Sequence, residues 1–227
     1  KNIKNILINK FLLNFFQLKK KKYLILDDAV NKELFKNYKV KKLKNTCAYF
    51  GSLTKGKGIE LIYEIAKKIK NIHFHIYGDL SLLQQSSKNL YQIKNIHFFN
   101  YINYKNIPKI MSRYEVVLMP YLEKVSVRSN NLNTAKYMSP LKLFEYLSMS
   151  KIIIATKLSV YSHILKHNKN SILIPPNRLH LWEIYILKIF KNLKNFESLK
   201  EKAKKTSLNY TWDLRVKKIN SDFIKLD

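Results

Sequence analysis

The hydrophobic residues of this 227-residue chain recur with two different spacings. Short apolar runs rich in β-branched residues predict strands, and segments whose apolar residues return every three or four positions predict helices. The predicted strands cover residues 47–50, 71–78, 95–102, 115–121, 151–156 and 171–176, and helices are predicted near 59–69, 107–112, 139–149, 181–193 and 210–219. Strands that alternate with helices are typical of a doubly wound parallel sheet. We therefore predict an α/β, Rossmann-like fold that binds its ligand at the carboxyl ends of the strands.

Three of the predicted strands, at residues 115–121, 151–156 and 171–176, have no polar residue at their centres. Such strands are typically buried on both faces of a parallel sheet. In the earlier strands His73, His75 and His97 alternate with apolar residues. Because no further metal-ligating residues accompany them, we interpret these histidines as sheet-face residues and expect no metal site or other cofactor.

A glycine-containing loop, residues 51–58, joins the first of these strands to the following helix. Gly51 allows the backbone to approach a ligand closely, because glycine has no side chain. Lys57 is placed to reach a diphosphate. A glycine-rich turn between a strand and a helix is weak evidence by itself, so an ordinary connecting turn remains the alternative.

The segment around which the chain is organised, residues 139–156, reads SPLKLFEYLSMSKIIIAT. Ser139 is predicted to cap a helix whose first position is Pro140, so that free backbone amides and Lys142 face any anion at the helix end. Glu145 lies one turn further on, on the same face as Leu141. This arrangement suits a molecule that carries both phosphate and hydroxyl groups, such as a nucleotide-sugar. The alternative is a capped helix whose glutamate is solvated.

At the start of the chain, the apolar residues between Ile3 and Leu18 have broadly helical spacing and are followed by the basic run Lys19–Lys22. We predict a buried helix with a solvated end. An amphipathic helix lying on a membrane surface is the alternative.

The chain carries 43 Lys and Arg against 15 Asp and Glu, which gives a formal net charge of +28. Such an excess favours nucleic acid or an anionic membrane as a partner. However, arginine occurs only at Arg113, Arg128, Arg178 and Arg215, and the lysines are spread through all predicted elements. We therefore interpret the charge as a general bias, expect no specific nucleic-acid partner, and retain a possible peripheral contact with anionic lipid.

Cys47 is the only cysteine, which excludes an internal disulfide and fits a reducing compartment. No apolar run reaches transmembrane length. The expected location is cytoplasmic, with possible association to the cytoplasmic face of a membrane. The hydrophobic fraction of 46% is sufficient for a packed core.

Residues 139–156 resemble the donor-binding helix of the GT-B glycosyltransferases of family 4, the glycosyl transferases group 1. Residues 51–58 resemble the phosphate loop of that family, residues 23–35 its interdomain connection, and residues 210–219 its closing motif. The resemblance covers about residues 23–223. It implies the C-terminal half of a GT-B fold, with residues 1–45 as a remnant of the N-terminal acceptor domain and its connection. Residues 46–227 would form the donor-binding domain with its C-terminal helices.

The same resemblance implies which residues bind the donor. Glu145 would hold the ribose hydroxyls, the amides at the start of the helix and Lys57 would hold the diphosphate, and the base would pack near the turn at residues 100–103. The implied donor-binding residues are Gly51, Ser52, Lys57, Tyr101, Ile102, Leu141, Lys142 and Glu145. The chain departs from the family at Tyr137, where a second glutamate is usual, at Ser52, where an arginine is usual, and at residues 150–152, where Gly-Lys-Pro is usual.

By resemblance, the reaction transfers a sugar from a nucleoside diphosphate donor to a sugar, glycan or lipid-linked acceptor, with retention and without a bound metal. A role in the synthesis of cell-surface or lipid-linked glycans follows. Catalytic residues of the acceptor domain cannot be assigned from this chain. Two alternatives remain: a basic protein that binds nucleic acid or membrane, and another GT-B enzyme such as a nucleotide-sugar epimerase.

Overall fold

The computed structural model describes residues 5–18, 23–83, 93–125 and 133–224. The strands are β1 Asn5–Leu7, β2 Tyr23–Ile25, β3 Thr46–Phe50, β4 His73–Tyr77, β5 Ile96–Phe99, β6 Val116–Met119, β7 Ile152–Thr156 and β8 Ile172–Ile174. The helices are α1 Leu12–Phe16, α2 Ile59–Lys68, α3 Ile107–Met111, α4 Leu141–Ser148, α5 Leu179–Lys191, α6 Glu197–Ser207 and α7 Trp212–Ile224. The basic run Lys19–Lys22 and Arg128, both considered in the sequence analysis, lie outside the described residues.

The centre of the fold is a six-stranded parallel sheet with the strand order β5-β4-β3-β6-β7-β8. In this sheet Ala48 of β3 lies opposite His75 of β4 on one side and Val117 of β6 on the other. The chain runs outward from β3 to β5 and then returns to β6. In doubly wound sheets the ligand crevice lies where the strand order reverses, outside the carboxyl ends of the strands. The predicted fold class is confirmed, and the crevice is expected beside β3 and β6.

Two hydrophobic clusters cover the two faces of the sheet. Helices α2 and α5 pack on one face through residues such as Ile62, Ile65 and Ile186, and α4 packs on the other through Phe144 and Leu147. All residues of β6, β7 and β8 are buried, as their uninterrupted apolar runs predict. This rigid frame positions the loops at the carboxyl edge of the sheet.

The predicted N-terminal helix between Ile3 and Leu18 is wrong. The described part of this segment forms the strand β1 and only a five-residue helix, α1. Strand β1 pairs in parallel with β2, with Leu7 opposite Ile25, in a separate two-stranded sheet. Strand pairing between distant residues overrides local spacing here, because short apolar runs fit a strand as well as a helix. The domain division at residue 45 stays a prediction, although β3 begins at Thr46.

Within the described residues, no helix combines the length and the apolar character that crossing a bilayer requires. The longest described helices, α5 and α7, have 13 residues each.

Lys151 is a buried cation at the opposite, amino edge of the sheet, where only 1% of the residue is exposed. Its Nζ donates hydrogen bonds to the Tyr114 carbonyl oxygen at 2.8 Å and to Asn37 Oδ1 at 3.3 Å. Burial, aided by the charge of Lys42, lowers the pKa of Lys151 to about 7, although Glu115 opposes the change. The protein therefore holds a lysine that loses its proton near neutral pH.

This lysine predicts a pH dependence of stability. Between about pH 7 and about pH 10 the unfolded chain keeps the Lys151 proton and the folded chain does not, so the stability contributed by this group rises with pH in that window. The difference in unfolding free energy between wild type and Lys151→Met should therefore shift in favour of wild type by about 2 kcal/mol from pH 7 to pH 9. Urea unfolding at several pH values measures it. A difference that does not change with pH would contradict the lowered pKa.

Candidate functional site

The crevice at the carboxyl edge of β3 and β6 is closed on one side by the loop after β3 and on the other by the start of α4. Gly51 is the first residue of this loop and has a φ of +146°. A Cβ atom placed on Gly51 would lie 2.3 Å from Nζ of Lys142, the second residue of α4. The positive φ favours glycine here, and Gly51 is the point at which the loop meets the end of the Lys142 side chain.

Lys142 is the most unusual residue of this crevice. Its Nζ is buried and has no hydrogen-bond partner within the part of the chain that the structure describes. It lies 3.8 Å from the centre of the Tyr49 ring, which attracts the cation but accepts no conventional hydrogen bond. Burial, followed by the positive charge of Lys57, lowers the pKa of Lys142 well below its usual value. A buried amine with unmet hydrogen-bonding capacity is costly, and an anionic ligand in the crevice would satisfy it.

Lys57, the other predicted cation, lies against the same group of rings. Its Nζ is 5.1 Å from the centre of the Tyr121 ring, and Lys142 Nζ is 5.3 Å from that ring. Burial lowers the pKa of Lys57 as well. The structure thus brings together two lysines that are 85 positions apart in the sequence.

Ser52, which replaces the usual arginine of the loop, is exposed and supplies no charge. Its carbonyl oxygen accepts a hydrogen bond from the Tyr49 hydroxyl at 2.7 Å, and its own hydroxyl lies 3.2 Å from that of Thr54. Tyr49 therefore fixes the loop with its hydroxyl while its ring contacts Lys142.

Glu145 faces the crevice from the second turn of α4 and is only 7% exposed. The alternative of a solvated glutamate is therefore wrong. Burial raises the pKa of Glu145 to about 7, although the Tyr104 hydroxyl, which donates a hydrogen bond to the carboxylate, and the charge of Lys142 both act to lower it. A carboxylate held in this way can accept hydrogen bonds from hydroxyl groups, as it does from the Tyr104 hydroxyl.

Tyr101 and Ile102 border a largely apolar cavity of about 320 Å³ beside the loop. Phe50 and Tyr77, which line the cavity, are stacked with ring centres 4.8 Å apart, and Phe99 stacks on the other side of Tyr77 at 4.6 Å. Tyr101 itself is 72% exposed at the rim. An apolar cavity of this size, lined by aromatic rings, can hold an aromatic heterocycle, and Gly51 and Ser52 of the loop also line it.

The start of α4 differs from its prediction by one residue. Pro140, with φ −74° and ψ 113°, occupies the capping position, and no described side chain caps the helix by a hydrogen bond. The Ser139 hydroxyl instead accepts a hydrogen bond from the Asp28 amide at 3.4 Å. The predicted Ser139 cap is therefore wrong, because the extended Pro140 takes the capping position and Ser139 lies one residue before it. The helix begins at Leu141, which is 46% exposed at the rim of the crevice.

Tyr137, at the departure from the paired glutamates, contacts the N-terminal part of the chain. Its ring centre lies 5.1 Å from that of Phe15, and its carbonyl oxygen accepts a hydrogen bond from Asn9 Nδ2 at 2.9 Å. Asn9 is buried. The segment before α4 is thus held by residues outside the six-stranded sheet.

Three tyrosines of the crevice were missed by the sequence analysis: Tyr49, Tyr104 and Tyr121. Each stands within a few residues of a predicted strand end at the carboxyl edge, and that position was the available signal. The chain has 15 tyrosines, however, and residue type alone does not separate these three from the rest.

The histidines of β4 and β5 contact one another on the sheet face. His73 Nδ1 lies 3.0 Å from His97 Nε2, and His75 Nδ1 lies 2.8 Å from the Tyr114 hydroxyl. Across the described ranges, no group of three or more His, Cys, Asp or Glu side chains is arranged to hold a metal ion.

Comparison with known families agrees with this architecture. The family model described as Glycosyl transferases group 1 matches residues 30–206 of the chain. No curated protein sequence matches the chain.

Several solved structures share the fold. A glycosyltransferase from Rickettsia africae is 16% identical with a TM-score of 0.79, covering 100% of this chain and 65% of its own. HepE from Anabaena, solved with UDP-glucose, is 15% identical with a TM-score of 0.80. The match covers 97% of this chain and 63% of HepE. TarM from S. aureus, solved with Fondaparinux, alpha-GlcNAc-glycerol and UDP, is 17% identical with a TM-score of 0.71. The match covers 95% of this chain and 43% of TarM. The chain therefore spans less than two thirds of the length of these structures.

Proposed function

This chain belongs to the glycosyl transferases group 1 family, and from that membership we propose that it is the donor-binding part of a retaining glycosyltransferase of family 4. The proposed reaction moves a sugar from a nucleoside diphosphate-sugar to a sugar, glycan or lipid-linked acceptor during the synthesis of cell-surface or lipid-linked glycans. The observation that carries the proposal is the buried Lys142 Nζ, which has no hydrogen-bond partner among the described residues and lies over Gly51 at the start of α4.

The diphosphate is proposed to lie between the glycine loop and α4. There it would contact Lys57, Lys142 and the first amides of the helix, whose positive dipole end favours an anion. When the bond between the anomeric carbon and the diphosphate oxygen breaks, negative charge grows on the departing diphosphate. The two lysines and the helix amides would stabilise that charge in a site that excludes water, which lowers the barrier to reaction.

The remaining parts of the donor are proposed to occupy the neighbouring features of the crevice. The ribose hydroxyls would donate hydrogen bonds to the Glu145 carboxylate in place of the Tyr104 hydroxyl. The base would enter the cavity beside Tyr101 and Ile102. HepE binds UDP-glucose, so uridine diphosphate is the first probe to use.

Proton uptake on binding tests this proposal. In the empty site burial holds the pKa of Lys142 low, and a bound diphosphate would raise it, because a nearby anion favours the charged lysine. Calorimetric titration of uridine diphosphate at several pH values, in buffers of different ionisation enthalpy, should show net proton uptake in the window between the lowered pKa of Lys142 in the ligand-free protein and its raised pKa in the complex. Lys142→Met should bind more weakly and lose that uptake. Tight binding with no proton uptake in either protein would contradict the assigned role of Lys142.

A further inference from the structure

Helix α5 is apolar on two opposite faces. Trp182, Ile186 and Ile189 point into the core beneath the helix and are buried. On the outer face Ile184 is 54% exposed and Leu187 is 42% exposed. A surface helix normally confines its apolar residues to the side that faces the core, so the outer pair is unusual.

Two exposed lysines and a histidine surround this apolar pair. His180, Lys188 and Lys191 share the outer side of α5 with it, at helical spacings of three, four and seven residues. We call these five residues, His180, Ile184, Leu187, Lys188 and Lys191, the α5 face.

Lysines of the neighbouring helix α2 pair with the acidic residues next to the α5 face. Helices α2 and α5 pack beside each other, and Lys68 of α2 forms an ion pair with Glu183 of α5 at 2.9 Å. Lys67 pairs with Glu64 at 3.2 Å, and the exposed Lys70 follows at the end of α2. The acidic residues Glu64 and Glu183 are thus already matched by lysines of α2, and the positive charge of the α5 face is not neutralised by them.

We propose that the α5 face docks on an anionic lipid surface, with Ile184 and Leu187 entering the boundary between headgroups and acyl chains. Lysines beside an exposed apolar pair match the charge and the apolar interior of such a surface. The lysines would contact anionic headgroups, and the apolar side chains would leave water. A duplex nucleic acid would use the lysines but leave Ile184 and Leu187 in water. The α5 face contains no arginine, the residue best suited to read bases or phosphates in two-point contacts.

This surface is separate from the proposed donor site. Lys57, Lys142 and Glu145 lie at the carboxyl edge of the sheet, and none of them belongs to α5. The α5 face therefore shares no residue with the proposed donor site, and the inference stands independently of the proposed function.

Vesicle flotation with the full chain tests the inference. Wild type should bind vesicles of phosphatidylcholine that contain phosphatidylglycerol, bind pure phosphatidylcholine far more weakly, and lose affinity as salt rises. The double variant Ile184→Gln/Leu187→Gln should bind the anionic vesicles roughly tenfold more weakly or worse. Lys188→Gln should weaken binding about fivefold. Leu208→Gln is the matched control, because Leu208 is also 54% exposed but lies outside the α5 face.

Thermal unfolding of each variant checks that the fold is kept, which the exposure of both apolar residues leads us to expect. Equal binding by wild type, the double variant and Leu208→Gln would overturn the inference. So would the absence of any binding to anionic vesicles. Binding of a duplex oligonucleotide at physiological salt that Lys188→Gln weakens, with vesicle binding unchanged, would assign the face to nucleic acid instead.

Discussion

Replacing either Lys57 or Lys142 by methionine should weaken the binding of uridine diphosphate by about 1.5–3 kcal/mol, or roughly ten- to a hundredfold, and leave uridine almost unaffected. The reason is that both Nζ atoms lie next to the ring of Tyr121, where one diphosphate could contact both. Methionine keeps most of the apolar volume of the lysine side chain, so the substitutions change chiefly the charge.

The loss of binding free energy in the double variant should differ from the sum of the two single losses, because two residues that act on one group are coupled. A binding cycle of the four proteins with the two ligands measures that coupling. Lys55→Met is the control, since Lys55 is exposed in the same loop and contributes only a distant charge. Equal losses for uridine and uridine diphosphate, or a loss for Lys55→Met as large as for Lys57→Met, would remove the phosphate site.

Lys142→Met should also stabilise the empty protein. A lysine whose pKa is lowered by folding makes stability rise with pH, so the cost of burying it is greatest at neutral and acid pH. The gain in unfolding free energy of Lys142→Met over wild type should therefore shrink as the pH rises. A variant that is both less functional and more stable is the signature of a residue kept for its ligand.

Glu145→Gln should weaken nucleotide binding by about 1.5–3 kcal/mol, because a neutral amide accepts hydrogen bonds from hydroxyl groups less strongly than a carboxylate does. It should also stabilise the empty protein above neutral pH. The pKa of Glu145 is raised to about 7 in the folded chain, so the folded state holds an extra proton between about pH 4.5 and 7, and stability falls as the pH rises through this window.

The stability gain of Glu145→Gln over wild type should therefore be small near pH 5 and larger near pH 8. Calorimetry measures the binding, and thermal unfolding at the two pH values measures the stability. Glu201→Gln, on the exposed side of α6, serves as the control. Unchanged binding by Glu145→Gln would show that the carboxylate does not hold the nucleotide.

The alternation of apolar runs and helical spacings was sufficient to predict the sheet. The strands β3 to β8 all fall within their predicted ranges, apart from Thr46 at the start of β3. The helix α2 falls within its predicted range and buries Ile62, Ile65 and Ala66. The strands β6, β7 and β8 are fully buried, so their local pattern and their tertiary environment agree.

Other features depend on contacts between distant residues, and the sequence could not reveal them. Strand β1 exists because it pairs with β2, and Glu145 accepts a hydrogen bond from Tyr104, which follows a different strand. The loop and α4 approach each other closely enough that Lys142 fills the space above Gly51. Sequence spacing placed the lysines at one edge of the sheet. The tyrosines around them, and the lack of a hydrogen-bond partner for Lys142 Nζ among the described residues, follow only from the three-dimensional arrangement.

The central claim is that the crevice between the glycine loop and α4 binds a nucleoside diphosphate, and a thermal-shift panel of nucleosides, nucleoside diphosphates and their sugars tests it most directly. A diphosphate at about a hundred times its Kd should stabilise the wild-type chain by about 2.7 kcal/mol, whereas the matching nucleoside at the same concentration should give little shift. Stabilisation by no member of the panel, or equal shifts for nucleoside and diphosphate, would contradict the claim.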